Sequence, residues 1–307
     1  MRLGTNGVVV NELGEVLLIQ RDDTRTFASP GGSMETGELP TENVIREVEE
    51  ETGLKVLPVR LVALYFLKWG DSAWLSFFFR CIQRGGELAT SPESIQVGFY
   101  PANKLPAPMT AMHRNRLLLG FSHHGGAPFW RTDRQSLSIK IGRFLLNGIV
   151  YPWKDWQRKR RGEPKYVPPA EWRTGAFTVI RNEAGEVLWV KRREDDAWNL
   201  PGGDGQEMEA PWQTAVRETH EDTGLTVTLT DLTSVYVYKN EAHIIFTFAA
   251  VIDAGTLALN PEANEFAWFT PGEEPENCWD AHCRRVADTV SDDEITQFRY
   301  QEVDNEQ

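Results

Sequence analysis

Three glutamates close together in the sequence could hold a metal ion. Glu47, Glu50 and Glu51 follow a glycine-containing stretch that starts at Gly32. Residues three and four apart share one face of a helix, so these carboxylates would project from the same side. Like charges at this spacing repel and need a counter-charge, part of which Arg46 can supply. A solvated acidic helix face is the alternative, but Mg²⁺ or Mn²⁺ prefers carboxylate oxygens when it also binds substrate phosphates.

The helix that positions these glutamates has a clear beginning and end in the sequence. Pro40 suits a first helical turn, where no backbone N–H is needed, and Gly53 suits the left-handed residue after a last turn. We therefore predict a helix from about Pro40 to Thr52. Its apolar stripe, which would face a core, consists of Val44, Ile45 and Val48.

The stretch from Gly32 to Leu54 fits the pattern G-x5-E-x7-R-E-U-x-E-E-x-G-U, where U is apolar, at every fixed position. The matching residues are Gly32, Glu38, Arg46, Glu47, Val48, Glu50, Glu51, Gly53 and Leu54. The segment resembles the Nudix box of the Nudix hydrolases. This resemblance implies an α/β fold, an α/β/α sandwich with a mixed β-sheet and a catalytic loop-helix-loop. It also implies hydrolysis of a nucleoside diphosphate linked to another group.

The resemblance further implies a site for Mg²⁺ or Mn²⁺. Its ligands would be the carboxylates of Glu47, Glu50 and Glu51 and the carbonyl of Gly31. Arg46 is a catalytic candidate whose main expected role, like that of Glu38, is to hold the loop and the helix in place. A bound ion would neutralise charge on the attacked phosphorus and lower the pKa of a water molecule.

A second, weaker copy of the pattern runs from Gly203 to Leu225, 171 residues after the first. At the same offset NELGEVLLIQR (11–21) answers NEAGEVLWVKR (182–192), so each half opens with a predicted hairpin that feeds its box. We predict two Nudix domains, residues 1–126 and 173–307, joined by a connector, residues 127–172. The strands predicted between the boxes and the later matches are LVALYFLKWG, WLSFFFRC, LTSVYVYKN and HIIFTFAAVI.

The second box departs from the pattern at two fixed positions. Thr219 replaces the apolar residue and Asp222 replaces the last glutamate, while Met208 stands where the first box has Gly37. We expect the Thr219 hydroxyl to bond to the helix's own carbonyls and Asp222 to weaken or shift metal binding. The metal ligands of this copy would be Gly202, Glu218, Glu221 and Asp222. The second domain could instead be a non-catalytic nucleotide-binding domain, or a packing partner that mimics half of a homodimer.

Several further residues are candidates for proton transfer and substrate binding. The general base could be Glu50 or Glu51 on the helix or Glu93 on a later loop, with Glu221 and Glu262 as counterparts in the second domain. Arg21 and Arg192 could meet phosphate, although arginines at strand ends commonly face solvent. Phe27 and Trp198 could stack on a base or ribose, or they could belong to the core. A nucleoside triphosphate, an unusual nucleotide and a nucleotide sugar all remain possible substrates.

Composition limits the classes of partner. The formal net charge of −13 disfavours tight binding to nucleic acid, so a small nucleotide is the expected partner. No signal segment or membrane-length apolar run is present, and we expect a cytoplasmic protein. Cys81, Cys278 and Cys283 suggest neither a disulfide scaffold nor a zinc site, despite His282 beside two of them.

The connector is too long to be a simple tether. Ser136 to Gly148 has a helical apolar pattern, and the run WKDWQRKRRGEPKYVPP (153–169) is basic and aromatic. Trp153 and Trp156 could pack between the domains while Arg158, Lys159, Arg160 and Arg161 lie in water. The alternative is a basic arm that attracts a polyphosphate or an RNA end. A nucleotide-sensing regulator would need a DNA-binding helix-turn-helix, for which no segment is left.

Overall fold

The computed structural model describes residues 1–70, 72–133, 160, 168–291 and 295–301. The first half contains β1 (Arg2–Val10), β2 (Glu15–Arg21), β3 (Phe27–Ala28), α1 (Pro40–Thr52), β4 (Leu54–Trp69), β5 (Ser72–Gly86), β6 (Ser94–Pro101), α2 (Ala111–Ser122) and β7 (Phe129–Asp133). The second half contains β8 (Arg173–Ile180), β9 (Val187–Arg192), β10 (Trp198–Asn199), β11 (Gly202–Asp204), α3 (Pro211–Thr223), β12 (Leu225–Tyr238), β13 (His243–Gly255), β14 (Ala263–Phe269), α4 (Asp280–Val290) and β15 (Gln297–Gln301). The helix predicted at 136–148 and the basic run, apart from Arg160, lie outside the described residues.

Both halves contain mixed sheets, as predicted. In the first half the strand order is β3-β2-β1-β5-β4-β7, with β6 also paired to β2. The β1–β5 and β4–β7 pairs are parallel and the others are antiparallel. In the second half the orders are β11-β8-β13-β12-β15 and β10-β9-β14. Because β7 pairs with β4 beyond residue 126, the first sheet continues into the segment predicted as connector.

Helices cover both faces of the first sheet. A Cβ added to Gly7 of β1 would lie 2.9 Å from a methyl group of Val48 in α1, whereas the next residue, Val8, packs in one buried cluster with Leu117 of α2. Successive residues of a strand point to opposite faces, so α1 and α2 lie on opposite sides. The second half has the same arrangement. Thr178 of β8 contacts Thr219 of α3, and the next residue, Val179, packs in one buried cluster with Val286 of α4. The predicted α/β/α layering is confirmed.

Each half opens with the predicted hairpin, and the N-E-x-G sequence forms its turn. The side-chain oxygen of Asn11 accepts the backbone N–H groups of Leu13 and Glu15. Asn182 makes the same two bonds with Ala184 and Glu186. An asparagine that bonds to its own backbone two residues on favours a tight turn, which fixes where β2 and β9 begin.

The two halves pack through one continuous hydrophobic core. Phe77 of β5 and Phe246 of β13 stack, with ring centroids 6.0 Å apart. These two are counterparts, because they pair in register with Thr5 and Ala176, which are 171 residues apart. The surrounding contacts are reciprocal, since each joins a residue of one half to the counterpart of its partner's equivalent. Phe79 of β5 contacts Phe298 of β15, and Phe248 of β13 contacts Trp130 of β7. A surface that meets its own counterpart is the mark of a two-fold interface, so the halves are arranged as a pseudo-dimer within one chain.

In the part of the chain that the structure describes, no helix combines the length and the apolar character needed to cross a membrane.

Candidate active site

The glutamate-bearing helix α1 has the predicted bounds. It starts at Pro40, and Gly53 ends it with a φ of 73°, a left-handed conformation that glycine adopts without steric cost. Val44 and Val48 are fully buried. Their burial turns the opposite, acidic face of the helix toward the glycine-containing loop.

Arg46 lies at the centre of that acidic face. It forms a two-pronged contact with Glu38, in which Nε lies 2.8 Å from Oε1 and Nη2 lies 3.0 Å from Oε2. Its Nη1 also donates to Glu47 at 2.9 Å and to Glu50 at 3.2 Å. The guanidinium therefore supplies the counter-charge expected from the sequence and ties the loop to the helix, which is a positioning role.

Glu51 and Glu47 are held against the glycine loop. The backbone N–H of Gly31 donates to Oε2 of Glu51 at 2.7 Å. Glu51 is buried, and burial raises its pKa to about 8. Burial also raises the pKa of Glu47 to about 7, and the nearby charge of Glu50 adds to the rise. A side chain at Gly32 would collide with the Glu47 carboxylate, which explains the glycine there.

These donors fit a hard divalent cation in their chemistry. Within the described residues, no three Asp, Glu, His or Cys side chains converge as a metal cage. Arg46 donates hydrogen bonds to both Glu47 and Glu50. Buried carboxylates with raised pKa values are nevertheless the groups whose charged forms a cation would stabilise most. Glu47 and Glu51 are the buried members of the set. The side chain of Glu50 is 60% exposed.

The second helix repeats this network. The guanidinium of Arg217 contacts Glu209 at 2.8 Å and Glu221 at 2.9 Å, and it also contacts Glu218. The N–H of Gly202 donates to Oδ2 of Asp222 at 2.8 Å. The shorter aspartate therefore accepts the same backbone bond as Glu51. Burial raises the pKa of Asp222 to about 7.

Two departures in the second box have structural compensation. The Thr219 hydroxyl lies 2.7 Å from that of Thr178 in β8, so its partner is a strand residue and not the helix carbonyl expected from the sequence. Thr178 stands where the first half has Gly7, whose lack of a side chain makes room for Val48. Met208 has a φ of 60°, so it adopts the left-handed conformation of its counterpart Gly37, whose φ is 74°.

The candidate substrate-binding residues lie in different environments. Arg21 makes a two-pronged ion pair with Asp23, at 2.9 and 2.7 Å. Arg192 donates to Glu194 at 3.2 Å and its guanidinium lies 5.7 Å from the Trp279 ring centroid. The predicted stacking residues Phe27 and Trp198 are buried against Tyr100 and Phe269 respectively. Core packing accounts for both.

Glu93 and Glu262 lie near the carboxylate helices. The backbone carbonyl of Glu93 accepts the N–H of Asp22, and that of Glu262 accepts the N–H of Arg193. These bonds place both glutamates beside the strand that precedes the box. Burial is the main cause of the raised pKa of Glu51, and the negative charge of Glu93 raises it further. Burial and the charge of Glu262 raise the pKa of Asp222 in the same way.

A cleft of about 810 Å³ opens beside the second carboxylate helix. Its lining includes Glu218, Asp222, Glu262 and Arg192. Sequence reasoning missed the other polar and aromatic residues of the lining, which include Asn199, Tyr238, His243, Trp279, Arg285 and Gln301. These residues come from six separate elements or loops, so no local motif brings them together.

The structure adds a single short link between two cysteines. Cys278 and Cys283 are joined as a disulfide, next to Trp279 at the mouth of the cleft. Their neighbour His282 is buried, and its Nδ1 accepts the N–H of Leu200 at 3.4 Å. That hydrogen bond accounts for His282 without a metal. The link spans five residues, too short a spacing in the sequence to suggest a scaffold.

Both halves of the chain match the same family of known proteins. The NUDIX domain model matches residues 1–119 and 171–287, more than half of the chain. The chain is 40% identical to the 8-oxo-dGDP phosphatase of Mus musculus over 111 residues, which cover 34% of the chain but only 33% of that protein. It is 38% identical to a MutT-like protein of Streptomyces ambofaciens over 112 residues, 36% of the chain and 71% of that protein. A MutT protein from Bacillus halodurans, known from its crystal structure, shows 28% identity and a TM-score of 0.40, and covers 45% of the chain and 93% of its own length.

Proposed function

The chain belongs to the Nudix family in both of its halves, and from that premise we propose that it hydrolyses the phosphoanhydride bond of a nucleoside diphosphate derivative with a divalent metal ion. The observation that carries this proposal is the repeated network on the two helices. In each, one arginine holds three carboxylates, and a glycine N–H holds the last carboxylate of the helix. Relatives named 8-oxo-dGDP phosphatase and ADP-ribose pyrophosphatase support this class of substrate.

Mg²⁺ or Mn²⁺ is the proposed cofactor. In the first half its ligands would be Glu47, Glu50 and Glu51 with the carbonyl of Gly31. In the second half they would be Glu218, Glu221 and Asp222 with the carbonyl of Gly202. A divalent ion bound there supplies charge neutralisation and Lewis acidity at the attacked phosphorus.

The protein's own groups position the substrate and accept a proton. Glu262 lines the same cleft as Glu218 and Asp222, so it is the favoured proton acceptor in the second half. Glu93 has the equivalent place in the first half. Glu50 and Glu221 are held by their arginines, which makes them less available for that role. Arg192 lines the cleft and is the proposed phosphate contact there.

The test is a substrate panel assayed for released phosphate and nucleoside monophosphate, with Mg²⁺, with Mn²⁺ and with EDTA. The variants are Glu51→Gln, Asp222→Asn and the double variant. We expect EDTA to abolish turnover and the double variant to lose at least about a hundredfold in kcat/KM. Each single variant reports how much of the activity belongs to its half.

The matched control is Glu49→Gln. Glu49 lies on the same helix, but its carboxylate is exposed and lies 3.8 Å from Lys55. Its substitution should leave turnover unchanged. Turnover that persists in EDTA, or a double variant as active as the wild type, would show that the carboxylate helices do not catalyse the reaction.

A further inference from the structure

The loop that leads into α1 lies against the second half of the chain. Gly37 in this loop has left no room for a side chain, because a Cβ there would collide with the backbone carbonyl of Lys239, which follows β12. Leu39, the residue that caps the N-terminus of α1, lines one groove with Phe298 and Tyr300 of β15. Residues of the second half therefore form part of the environment of the first catalytic loop.

A hydrogen bond joins Tyr300 to the start of the catalytic helix. The Tyr300 hydroxyl donates to Oε2 of Glu42. The same oxygen accepts the backbone N–H of Leu39 at 3.1 Å, so it lies where the loop becomes the helix. Burial and the Glu42 carboxylate raise the pKa of Tyr300 to about 12, so the hydroxyl keeps its proton at neutral pH. A hydroxyl bonded to a carboxylate is among the stronger hydrogen bonds in proteins.

The contacts continue from this point toward the proposed metal ligands. Glu38 directly precedes Leu39 and accepts a hydrogen bond from Arg46 at 2.8 Å. Arg46 in turn donates to the carboxylates of Glu47 and Glu50. The position of the loop therefore determines where the counter-charge of these carboxylates lies.

The other side of the interface has a different residue at the position of Tyr300. Thr132 of β7 is its counterpart, because the two residues pair in register with Phe66 and Val237, which are 171 residues apart. Thr132 is exposed, and its side chain is much shorter than that of a tyrosine. The first half therefore does not offer a phenolic hydroxyl to the second catalytic helix at this position.

The second catalytic helix is capped in the same way but contacts the other half differently. Gln213 stands where the first helix has Glu42, and its Oε1 accepts the N–H of Ala210 at 3.1 Å. The next helix residue toward the N-terminus, Trp212, packs edge-on against Phe66 of the first half, with ring centroids 6.2 Å apart. A charge-assisted hydrogen bond on one side of the interface is thus matched by an apolar contact on the other.

We propose that Tyr300 is a positioning residue for the catalytic site of the opposite half. Its hydroxyl holds Glu42, and through it the loop and the first turn of α1, so full activity of the first half depends on the second half packed against it. The dependence runs in one direction, because Thr132 cannot supply the equivalent bond. This inference rests on the proposed function, since it names a residue that supports the first of the two proposed sites.

The first test needs no substrate. Hydrogen exchange of the full chain, detected by mass spectrometry, compares Tyr300→Phe with the wild type. Peptides covering residues 33–44 should exchange about three- to tenfold faster in the variant, because one hydrogen bond no longer opposes opening of the loop. Peptides covering residues 204–215 should be unchanged. Phenylalanine keeps the ring that lines the groove and removes only the hydroxyl.

The second test separates positioning from general stability. In an Asp222→Asn background, Tyr300→Phe should lower the kcat of the first half by a similar factor and change KM by less than about twofold, because the loop supports the metal ligands and not the substrate. In a Glu51→Gln background, the same substitution should leave the kcat of the second half unchanged. Glu42→Gln should retain most of the activity, since an amide oxygen accepts the cap bond at Gln213. Tyr300→Phe should have no further effect in Glu42→Ala.

Thr132→Val is the matched control, because it alters the equivalent position and should leave both loops and both activities unchanged. Melting temperatures check that each variant is folded. Unchanged exchange of residues 33–44, equal acceleration of both loops, or faster exchange without a lower kcat would overturn the inference. Hydrolysis with no response to Tyr300→Phe would remove this inference alone. A wild type that hydrolyses no nucleotide, with the loop responding as expected, would remove the proposed reaction and leave the positioning contact in place.

Discussion

The two carboxylate helices are nearly identical in their hydrogen bonds, whereas the walls of the two sites differ. Arg46 and Arg217 hold the same pattern of glutamates, and the glycine N–H bonds to Glu51 and Asp222 differ in length by only 0.1 Å. In the proposed reaction, a metal ion and a diphosphate require this repeated part. The walls would contact the remainder of a substrate, so they could diverge. On this proposal, the duplication separates what the reaction requires from what selects the substrate.

Charge is the clearest difference between the walls. In the first half, carboxylates engage both arginines that flank the site, through the Arg21–Asp23 and Arg116–Asp133 pairs. In the second half, Arg192 contacts the exposed Glu194 and lies over the Trp279 ring, whereas Arg285 lies beside the amide of Gln301. An arginine already bound to a carboxylate attracts phosphate less. We therefore expect the first half, whose box is complete, to attract phosphate less at Arg116 than the second half does at Arg285.

The largest expected effect tests the symmetry of the interface. Phe77→Ala and Phe246→Ala should each lower the free energy of unfolding by about 3–5 kcal/mol, because each deletes a fully buried ring. The two losses should be similar, since the side chains are stacked counterparts. Urea unfolding monitored by circular dichroism measures both.

Leu13→Ala is the control for that comparison. Leu13 is 82% exposed at the tip of the first hairpin, so its truncation should change stability by less than about 0.5 kcal/mol. A loss confined to one of the two phenylalanine variants would mean that the halves do not share their core equally.

The loops before the two helices offer a second comparison, in which the expected change in the free energy of unfolding is intermediate. Gly37 has a φ of 74°, and a Cβ there would collide with the carbonyl of Lys239 in the other half. Gly37→Ala should therefore lower the free energy of unfolding by about 2 kcal/mol, through left-handed strain and this clash. Met208→Gly relieves strain at the equivalent position but loses packing, so its net effect should be under about 1 kcal/mol. Thermal unfolding of both variants decides whether the loop of the first box depends on the second half.

The first carboxylate helix could be predicted from about Pro40 to Thr52 because its signals are local. Proline at the first turn and glycine after the last one fix the bounds of α1, and an asparagine fixes each opening hairpin. The walls could not be predicted. Asp133 and Gln301 meet their arginines only because β7 and β15 pair in parallel with distant strands. The exchange of Gly7 and Val48 for Thr178 and Thr219 likewise depends on a contact between a strand and a helix.

The smallest expected effect asks whether the wall of the first half is limited by its ion pairs. Asp23→Ala releases Arg21 from a pair in which both guanidinium contacts are shorter than 3.0 Å. Measured in an Asp222→Asn background, the KM of the first half should fall by about threefold at low salt, the size expected when an exposed ion pair is removed. Glu194→Ala in a Glu51→Gln background should do less, because Glu194 is 83% exposed and makes one contact of 3.2 Å with Arg192. The gain should fade as salt is added, since screening weakens the attraction between arginine and phosphate. If KM rises instead, Asp23 holds Arg21 in the position that binds phosphate. The two halves would then differ in how they orient this arginine, and not in the amount of positive charge that their walls present.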